Sequence, residues 1–215
     1  KIVPRLNITS LKEVIIGDNV NTIDKDSFSN CTGLTNITIG NNVTTISDNA
    51  FSGCTGLTTL TIPDNVTKIG ERAFNDCSGL ITITIGKGLE HYHYSSFDGC
   101  NNVKTLNINC RGVKDVGFKS LTELNMGNNV INIWVYTFRN CSLLTSVTIP
   151  ESVAFIGAYA FDGCSNLTTA IFKSNASWKL ESYGGHINIQ EELENPSKAA
   201  QYLRSSASHC NWTKN

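Results

Sequence analysis

The chain has 215 residues, with 17 basic and 18 acidic side chains and a net charge of -1, so it can bury a core without disulfide staples and carries no electrostatic footprint for nucleic acid or an anionic membrane surface. Only 16% of its residues are charged, against roughly 25% in an ordinary soluble domain, which leaves solubility to small neutral polar groups. No apolar run approaches the ~20 residues of a membrane-spanning helix.

The chain opens Lys1-Ile2-Val3-Pro4, with neither an initiator Met nor a signal peptide, and this implies a processed or excised start. Ile8 falls where later segments place Cys, so the chain is expected to begin inside a structural unit.

From Leu11 onward a repeat organises the sequence. The segment from Leu34 to Cys54 recurs 23 residues on as Leu57 to Cys77, and again as Leu80 to Cys100. Each unit reads L-x-x-(I/L)-x-I, a turn, V-x-x-I, and then A-F-x-x-C-x-x-L, where the last Leu opens the next unit. The openings Leu11, Leu34, Leu57, Leu80, Val103, Leu121, Leu144 and Leu167 are 23 apart, except for a gap of 18 between Val103 and Leu121. Ile37 and Ile39 alternate with Asn36 and Thr38, which predicts a strand with one buried face, and equivalent strands of successive units must run parallel. One unit cannot bury its own Leu, Ile and Phe positions, so neighbours must stack and the ends need caps. The predicted fold class is a strand-dominated α/β solenoid of 23-residue repeats with one parallel β-sheet of about eight strands. The array occupies residues 1–173 and a C-terminal capping region occupies 174–215.

Leu34-x-x-Ile37-x-Ile39-x-x-Asn42 and Leu57-x-x-Leu60-x-Ile62-x-x-Asn65 fit the pattern L-x-x-L-x-L-x-x-N, as do Leu11 to Asn19 and Leu121 to Asn129. That is the leucine-rich-repeat pattern. The remainder of the unit, Val43-x-x-Ile46-x-x-x-Ala50-Phe51-x-x-Cys54, resembles the 23-residue Treponema pallidum-type repeat of BspA-like bacterial surface proteins. The resemblance covers about residues 11 to 173. Gly88, Arg111 and Ser152 depart from it at the Asn position, and the unit opened by Val103 has lost its Phe and Cys segment. The resemblance implies an extracellular or cell-surface binding protein, commonly an adhesin, with no catalytic residues; the expected partner is a host or microbial surface or matrix protein or glycan, and no cofactor or metal is expected. A carbohydrate-binding module and a structural spacer of a larger surface protein are the alternatives.

Six cysteines, Cys31, Cys54, Cys77, Cys100, Cys141 and Cys164, share one repeat position. Shared position makes them packing elements, a ladder of small buried thiols, in preference to disulfide partners or metal ligands. As thiols that need no polar partner they should tolerate Ser poorly, since a buried hydroxyl does need one. Cys110 and Cys210 stand outside the ladder and are expected not to pair.

With Ile37 and Ile39 inward, the exposed sheet face carries Asn36, Thr38, Thr59, Thr61, Thr82, Thr84, Thr105 and Asn107, then Glu123, Asn125, Ser146, Thr148 and Thr169, with Glu13 and Ile15 at its start and Ile171 at its end. Acid–base catalysis needs a group that titrates near working pH or two close carboxylates, and Glu13 and Glu123 are five strands apart, roughly 24 Å. The phosphate-cradling, H-E-x-x-H and G-x-S-x-G motifs are absent from the sequence.

The irregular stretch offers the candidate site. Where one unit has Thr67-Lys68-Ile69-Gly70-Glu71, the next has Glu90-His91-Tyr92-His93-Tyr94. The unit after that reads as six residues short between Val116 and Leu121 and one residue long before Val113, as though its convex turn were missing. Trp134 and Tyr136, then Phe155 and Tyr159, follow. Two expectations compete: Tyr92, Tyr94, Trp134 and Tyr136 fill the volume of the missing turn, or His91, His93, Tyr94, Trp134 and Tyr136 line a ligand-binding notch. In addition, His91-x-His93 would set two imidazoles on one strand face, a possible metal pair without a third ligand.

After Phe172 the period stops. Glu191-Glu192-Leu193-Glu194 is acidic, and Asn195-Pro196 followed by Ser197 to Arg204 predicts a helix with Asn195 as N-cap and Pro196 in the first turn. Ile187 and Ile189 are expected in a final strand.

Overall fold

The computed structural model describes residues 8–114, 116–174, 176–182, 185–188, 193–204 and 210–214. Ile189, Glu191 and Glu192 lie outside the described residues. The chain divides into two compact units, Lys1–Cys110 and Arg111–Asn215.

In the first unit the L-x-x-(I/L)-x-I segments form parallel strands in the order of the repeats. Glu13–Ile16 pairs with Asn36–Ile39, placing Val14 beside Ile37 and Ile16 beside Ile39. Thr59–Ile62, Thr82–Ile85 and Thr105–Ile108 pair in succession with Leu60, Ile83 and Leu106 aligned. Their inward residues are buried and their threonines face outward, because side chains alternate across a strand. The V-x-x-I segments form a second parallel ladder of two-residue strands, Thr22–Ile23, Thr45–Ile46, Lys68–Ile69 and His91–Tyr92. Two residues are too few for alternation to reveal in a sequence.

Between those ladders runs the segment that holds the coils together. Phe28, Phe51, Phe74 and Phe97 stack at ring-centroid separations of 5.1, 5.4 and 5.6 Å with interplanar angles of 4–11°, each stacked pair contributing about 1 kcal/mol beyond its burial. The thiol of Cys54 donates to the Phe28 carbonyl at 3.1 Å, that of Cys77 to Phe51 at 3.1 Å, and that of Cys100 to Phe74 at 3.2 Å. The same carbonyls accept the backbone N–H of the cysteine in their own coil, Cys31 to Phe28 at 3.2 Å and Cys54 to Phe51 at 3.2 Å. Both lone pairs of each carbonyl are therefore used inside the core. All eight cysteines are unbridged and buried. The expectation of thiols without polar partners is corrected: these sulfurs are donors that tie one coil to the preceding one. Side-chain amides do the same outside, with Asn42 donating to the Asp18 carbonyl at 2.8 Å and Asn65 donating to that of Asn41.

In the second unit Ser146–Ile149 pairs in parallel with Thr169–Phe172, and Gly112–Val113, Asn132–Ile133 and Phe155–Ile156 form the second ladder. The short repeat resolves differently from its sequence reading. Val113 pairs with Ile133, so it holds the second-strand position. The thiol of Cys141 donates to the Phe118 carbonyl at 3.4 Å as that of Cys164 does to Phe138 at 3.1 Å, so Phe118 is the ladder phenylalanine of this coil. Val113 follows Val103 by 10 residues where Ile46 follows Leu34 by 12, and Leu121 follows Phe118 by 3 where Leu57 follows Phe51 by 6. Two residues are missing from the turn before Val113 and three from the segment that carries the cysteine. The convex segment and its phenylalanine are present, contrary to expectation, with Val116 and Phe118 buried.

The C-terminal residues close this unit. The helix Pro196–Arg204 buries Ala199, Ala200 and Leu203, and the Asn195 side chain accepts from the Ser197 and Lys198 N–H groups at 3.0 and 3.2 Å, as expected of an N-cap. Trp178–Ser182 pairs antiparallel with Gly185–Asn188, which contains Ile187, and with Asn211–Lys214, which in turn pairs antiparallel with Phe155–Ile156. Trp178 and Trp212 are buried against Phe172 at centroid distances of 5.4 and 6.1 Å.

Burial pushes the Cys54 thiol from its ordinary 9.0 up to about 12, with the neighbouring Cys31 adding to the shift, and likewise raises Cys100 to about 12. A thiol with a raised folded-state pKa leaves stability intact below pH 9.0 and removes it as pH climbs toward about 12, because only the unfolded chain then ionises. Cys54 and Cys100 should each cost about 1.4 kcal/mol per pH unit in that window, measurable as a falling urea midpoint, with no native alkylation of the buried thiols at neutral pH. Cys77→Ser should lower stability by about 1–2 kcal/mol: the Phe51 carbonyl remains available, but the shorter C–O bond pulls the hydroxyl away from it and leaves a void.

Candidate functional site

The outward sheet face of the first unit is a set of matched columns. Thr59, Thr82 and Thr105 lie in register, as do Thr61, Thr84 and Asn107. Polar groups there bond to one another: Asn107 donates to the Thr84 hydroxyl at 3.0 Å and Asn36 to the Glu13 carboxylate at 2.7 Å. In the second unit Asn125 donates to Glu123 at 2.9 Å. Among the described residues no group of three or more His, Cys, Asp or Glu is placed to hold a metal ion.

The unusual residues of the first unit are His91, His93 and Tyr94. His91 is exposed and pairs with Lys68 in the short ladder. The strand ends at Tyr92, and His93 instead caps the 3-10 turn Tyr94–Phe97: its Nδ1 accepts the Ser95 N–H at 3.3 Å and lies 2.7 Å from the Ser95 hydroxyl. The expected pair of imidazoles on one strand face is thereby corrected. Tyr92 is half-buried against Phe97 at 6.4 Å, whereas Tyr94 is 71% exposed and leans on His93 with centroids 4.2 Å apart. Tyr94 fills no core volume.

Trp134 and Tyr136 belong to the second unit. They sit in the turn after Asn132–Ile133, at 37% and 40% exposure, with Val135 between them at 40%. Trp134 also fills no void. Its indole nitrogen lies where a Cβ on Gly112 would approach to 2.9 Å, so the missing side chain at 112 makes the seat. Phe155 packs against the indole at 5.8 Å and the Lys114 ammonium lies 5.8 Å from the ring centroid. Tyr136 stacks on Tyr159 at 5.4 Å and 17°, and the Arg139 guanidinium, bonded to Asp162 at 3.1 Å, lies 5.3 Å from the Tyr136 centroid.

The backbone under these tyrosines is left-handed, with φ of 62° at Tyr136 and 58° at Tyr159. The equivalent positions of regular repeats, Asp26, Asn49 and Arg72, have φ of 58°, 53° and 53°. Asn and Asp tolerate this region, but a bulky aromatic there is an outlier that costs about 1–2 kcal/mol. The left-handed turn belongs to the repeat itself, Arg72 included, and in two adjacent coils of the second unit it carries exposed or half-buried tyrosines in place of Asp or Asn. The column itself was visible in the sequence. Nothing in the sequence indicated Lys114, Val135, Arg139 or Gly112.

The patch has a definite chemical character. Sugar rings stack on open aromatic faces, but Tyr159 and Arg139 lie against Tyr136, and Phe155 and Lys114 against Trp134. Trp134, Val135 and Tyr136 keep 37%, 40% and 40% of their surface exposed beside these contacts. Tyr, Trp and Arg are the residues that anchor protein interfaces.

A family model described as a BspA type Leucine rich repeat region matches residues 6–119 and 116–195 in six copies. The structure is similar to that of a leucine-rich repeat protein from Eubacterium ventriosum, 30% identical over 71% of this chain and 42% of that one, with a TM-score of 0.64. It is also similar to a leucine rich cell surface protein from Faecalibacterium prausnitzii, 27% identical over 81% of this chain and 52% of that one, with a TM-score of 0.57. A T. pallidum leucine-rich repeat protein, 20% identical over 74% of this chain and 66% of that one with a TM-score of 0.50, shares the fold. The chain thus spans about half or less of the length of the first two. No curated protein matches its sequence.

Because Trp134 and Tyr136 are exposed and one is strained, Tyr136→Asn should change stability by no more than about 1 kcal/mol, strain relief offsetting the lost stack. A void-filling aromatic would cost about 3–5 kcal/mol instead, and urea denaturation separates the two. Gly112→Ala should displace the Trp134 indole, because the new Cβ would also meet the Asn132 carbonyl at 2.6 Å; a shift in the tryptophan emission maximum would report it.

Proposed function

The chain belongs to the family of BspA-type leucine-rich repeat proteins, and on that premise we propose that it is a non-catalytic, adhesin-like recognition domain of a secreted or cell-surface protein, binding a host or microbial surface or matrix protein. One observation carries this reading: exposed Trp134, Val135 and Tyr136 are held beside Arg139 and Lys114 on a rigid coil at the cost of a left-handed tyrosine. An aromatic residue at a left-handed position that other coils give to Asp or Asn supports a use for that surface. The similar Faecalibacterium prausnitzii protein is a cell surface protein, which supports the location.

A carbohydrate module is less favoured, since the ring faces that would stack on a sugar are already in contact with protein groups. A contact surface also suits the stacked-coil scaffold, whose inter-coil bonds preorganise the turns and so lower the ordering cost of binding. Exposed His91 and Tyr94, with the half-buried cap His93 between them, form a second group, in the first unit, whose role we propose to be the same kind of surface contact.

Surface binding should be measured on immobilised collagen, fibronectin and laminin in parallel with a glycan array. Retention on a matrix protein, weakened about tenfold or more by Trp134→Ala or Tyr136→Asn, is the expected result. Binding confined to the glycan array would favour the carbohydrate module, and silence on both would favour a spacer.

A further inference from the structure

We propose that a cavity in the C-terminal cap binds a small neutral molecule, one ring in size and carrying a hydroxyl or carbonyl oxygen. This site lies outside the recognition reading and stands separately from it. The cavity has a volume of about 190 Å³ and lies between the strand Thr169–Phe172, the start of the strand Trp178–Ser182 and the residues that lead into the helix Pro196–Arg204. Phe172, Leu193 and Pro196 give it apolar walls. Cavities of about 150 Å³ with apolar walls take up one benzene ring, so the space sets the size of the occupant.

Three polar residues on the same walls decide the chemistry. Trp178 is 0% exposed, and its indole Nε1 is buried without a hydrogen-bond partner. Buried N–H groups nearly always have an acceptor, and leaving one unmade is costly. Ser174, also buried, accepts the Ala176 N–H at 3.1 Å through its hydroxyl oxygen and keeps its own hydrogen to donate. Both groups are donors and call for an acceptor on the ligand. Glu194 lines the cavity from an exposed position, and its carboxylate disfavours a second negative charge nearby. The acceptor that fits is therefore a neutral oxygen. An unsubstituted ring would fill the space and leave the indole N–H as it is, whereas an alcohol or a carbonyl compound fills the space and completes that bond.

The indole N–H is its own reporter. In the isotope-labelled full chain its proton resonance can be assigned through the contact of Trp178 with the Phe172 ring, whose centroid lies 5.4 Å away. Titration with benzyl alcohol should move that resonance downfield and saturate. Toluene, which has the ring without the oxygen, should perturb the neighbouring side chains without the downfield movement. Benzoate should bind about fivefold more weakly than benzyl alcohol, and Glu194→Gln, a change at an exposed residue, should remove most of that difference. Trp178 is retained in every sample, so the core stays intact. A resonance that does not respond to benzyl alcohol, or that moves without saturating, overturns the proposal. The same downfield movement with toluene overturns it too, because the oxygen would then have no part in the contact. Benzoate bound as tightly as benzyl alcohol overturns the assignment of a neutral ligand.

Discussion

A coil of 23 residues cannot satisfy its own backbone, and this constraint governs the structure. Its strands are short and its turns tight, so N–H and C=O groups find partners one coil away: Phe28 N–H on the Ala50 carbonyl at 2.8 Å, Phe51 on Ala73 at 2.8 Å, and Phe138 on Ala160 at 2.8 Å. The cysteine thiol supplies what the backbone lacks, a donor that is small and largely apolar yet long enough to reach the phenylalanine carbonyl of the preceding coil. The same bond explains why the residue recurs at one position without pairing into disulfides. Phenylalanine rings stacked near 5 Å apart set the coil spacing on the other side of that segment.

The short repeat keeps this connection while losing five residues. Phe118 still presents its carbonyl to Cys141, and its own coil has no cysteine at the ladder position, so Leu121 N–H takes the place of the cysteine N–H on that carbonyl at 3.1 Å. Two of the missing residues come from the turn before Val113 and three from the segment that elsewhere carries the ladder cysteine, so this coil contributes no ladder thiol of its own while still accepting the one from Cys141. A solenoid tolerates such trimming because each coil interacts with its neighbours alone.

Departures from the repeat concentrate next to that coil. Regular units put Asp26, Asn49 and Arg72 at the left-handed position, whereas the second unit puts the aromatic Tyr136 and Tyr159 there. Local preference and tertiary placement disagree at these two residues, and such conflicts are expected at functional sites more than elsewhere. The cap shows the opposite behaviour: Asn195, Pro196 and the buried alanines obey helix rules, and Trp178 and Trp212 supply the apolar bulk that closes the unit.

Periodicity made most of the architecture legible before any coordinates: the 23-residue spacing, the alternation at Ile37 and Ile39, and the N-cap at Asn195 each follow from rules that act within a few residues or recur with the repeat. The extent and pairing of the second ladder were hidden because its strands are two residues long, and the thiol bonds because a cysteine and a carbonyl 26 residues apart leave no mark on hydropathy. The short repeat was misaligned for a related reason, since Phe118 is identified by the partner of its carbonyl, not by neighbours in sequence. Exposure decided the rest. Trp134, Tyr94 and Trp178 are alike as letters, large aromatics outside the repeat pattern, and only the packing of other coils and of the cap places the first two at the surface and the third in the core.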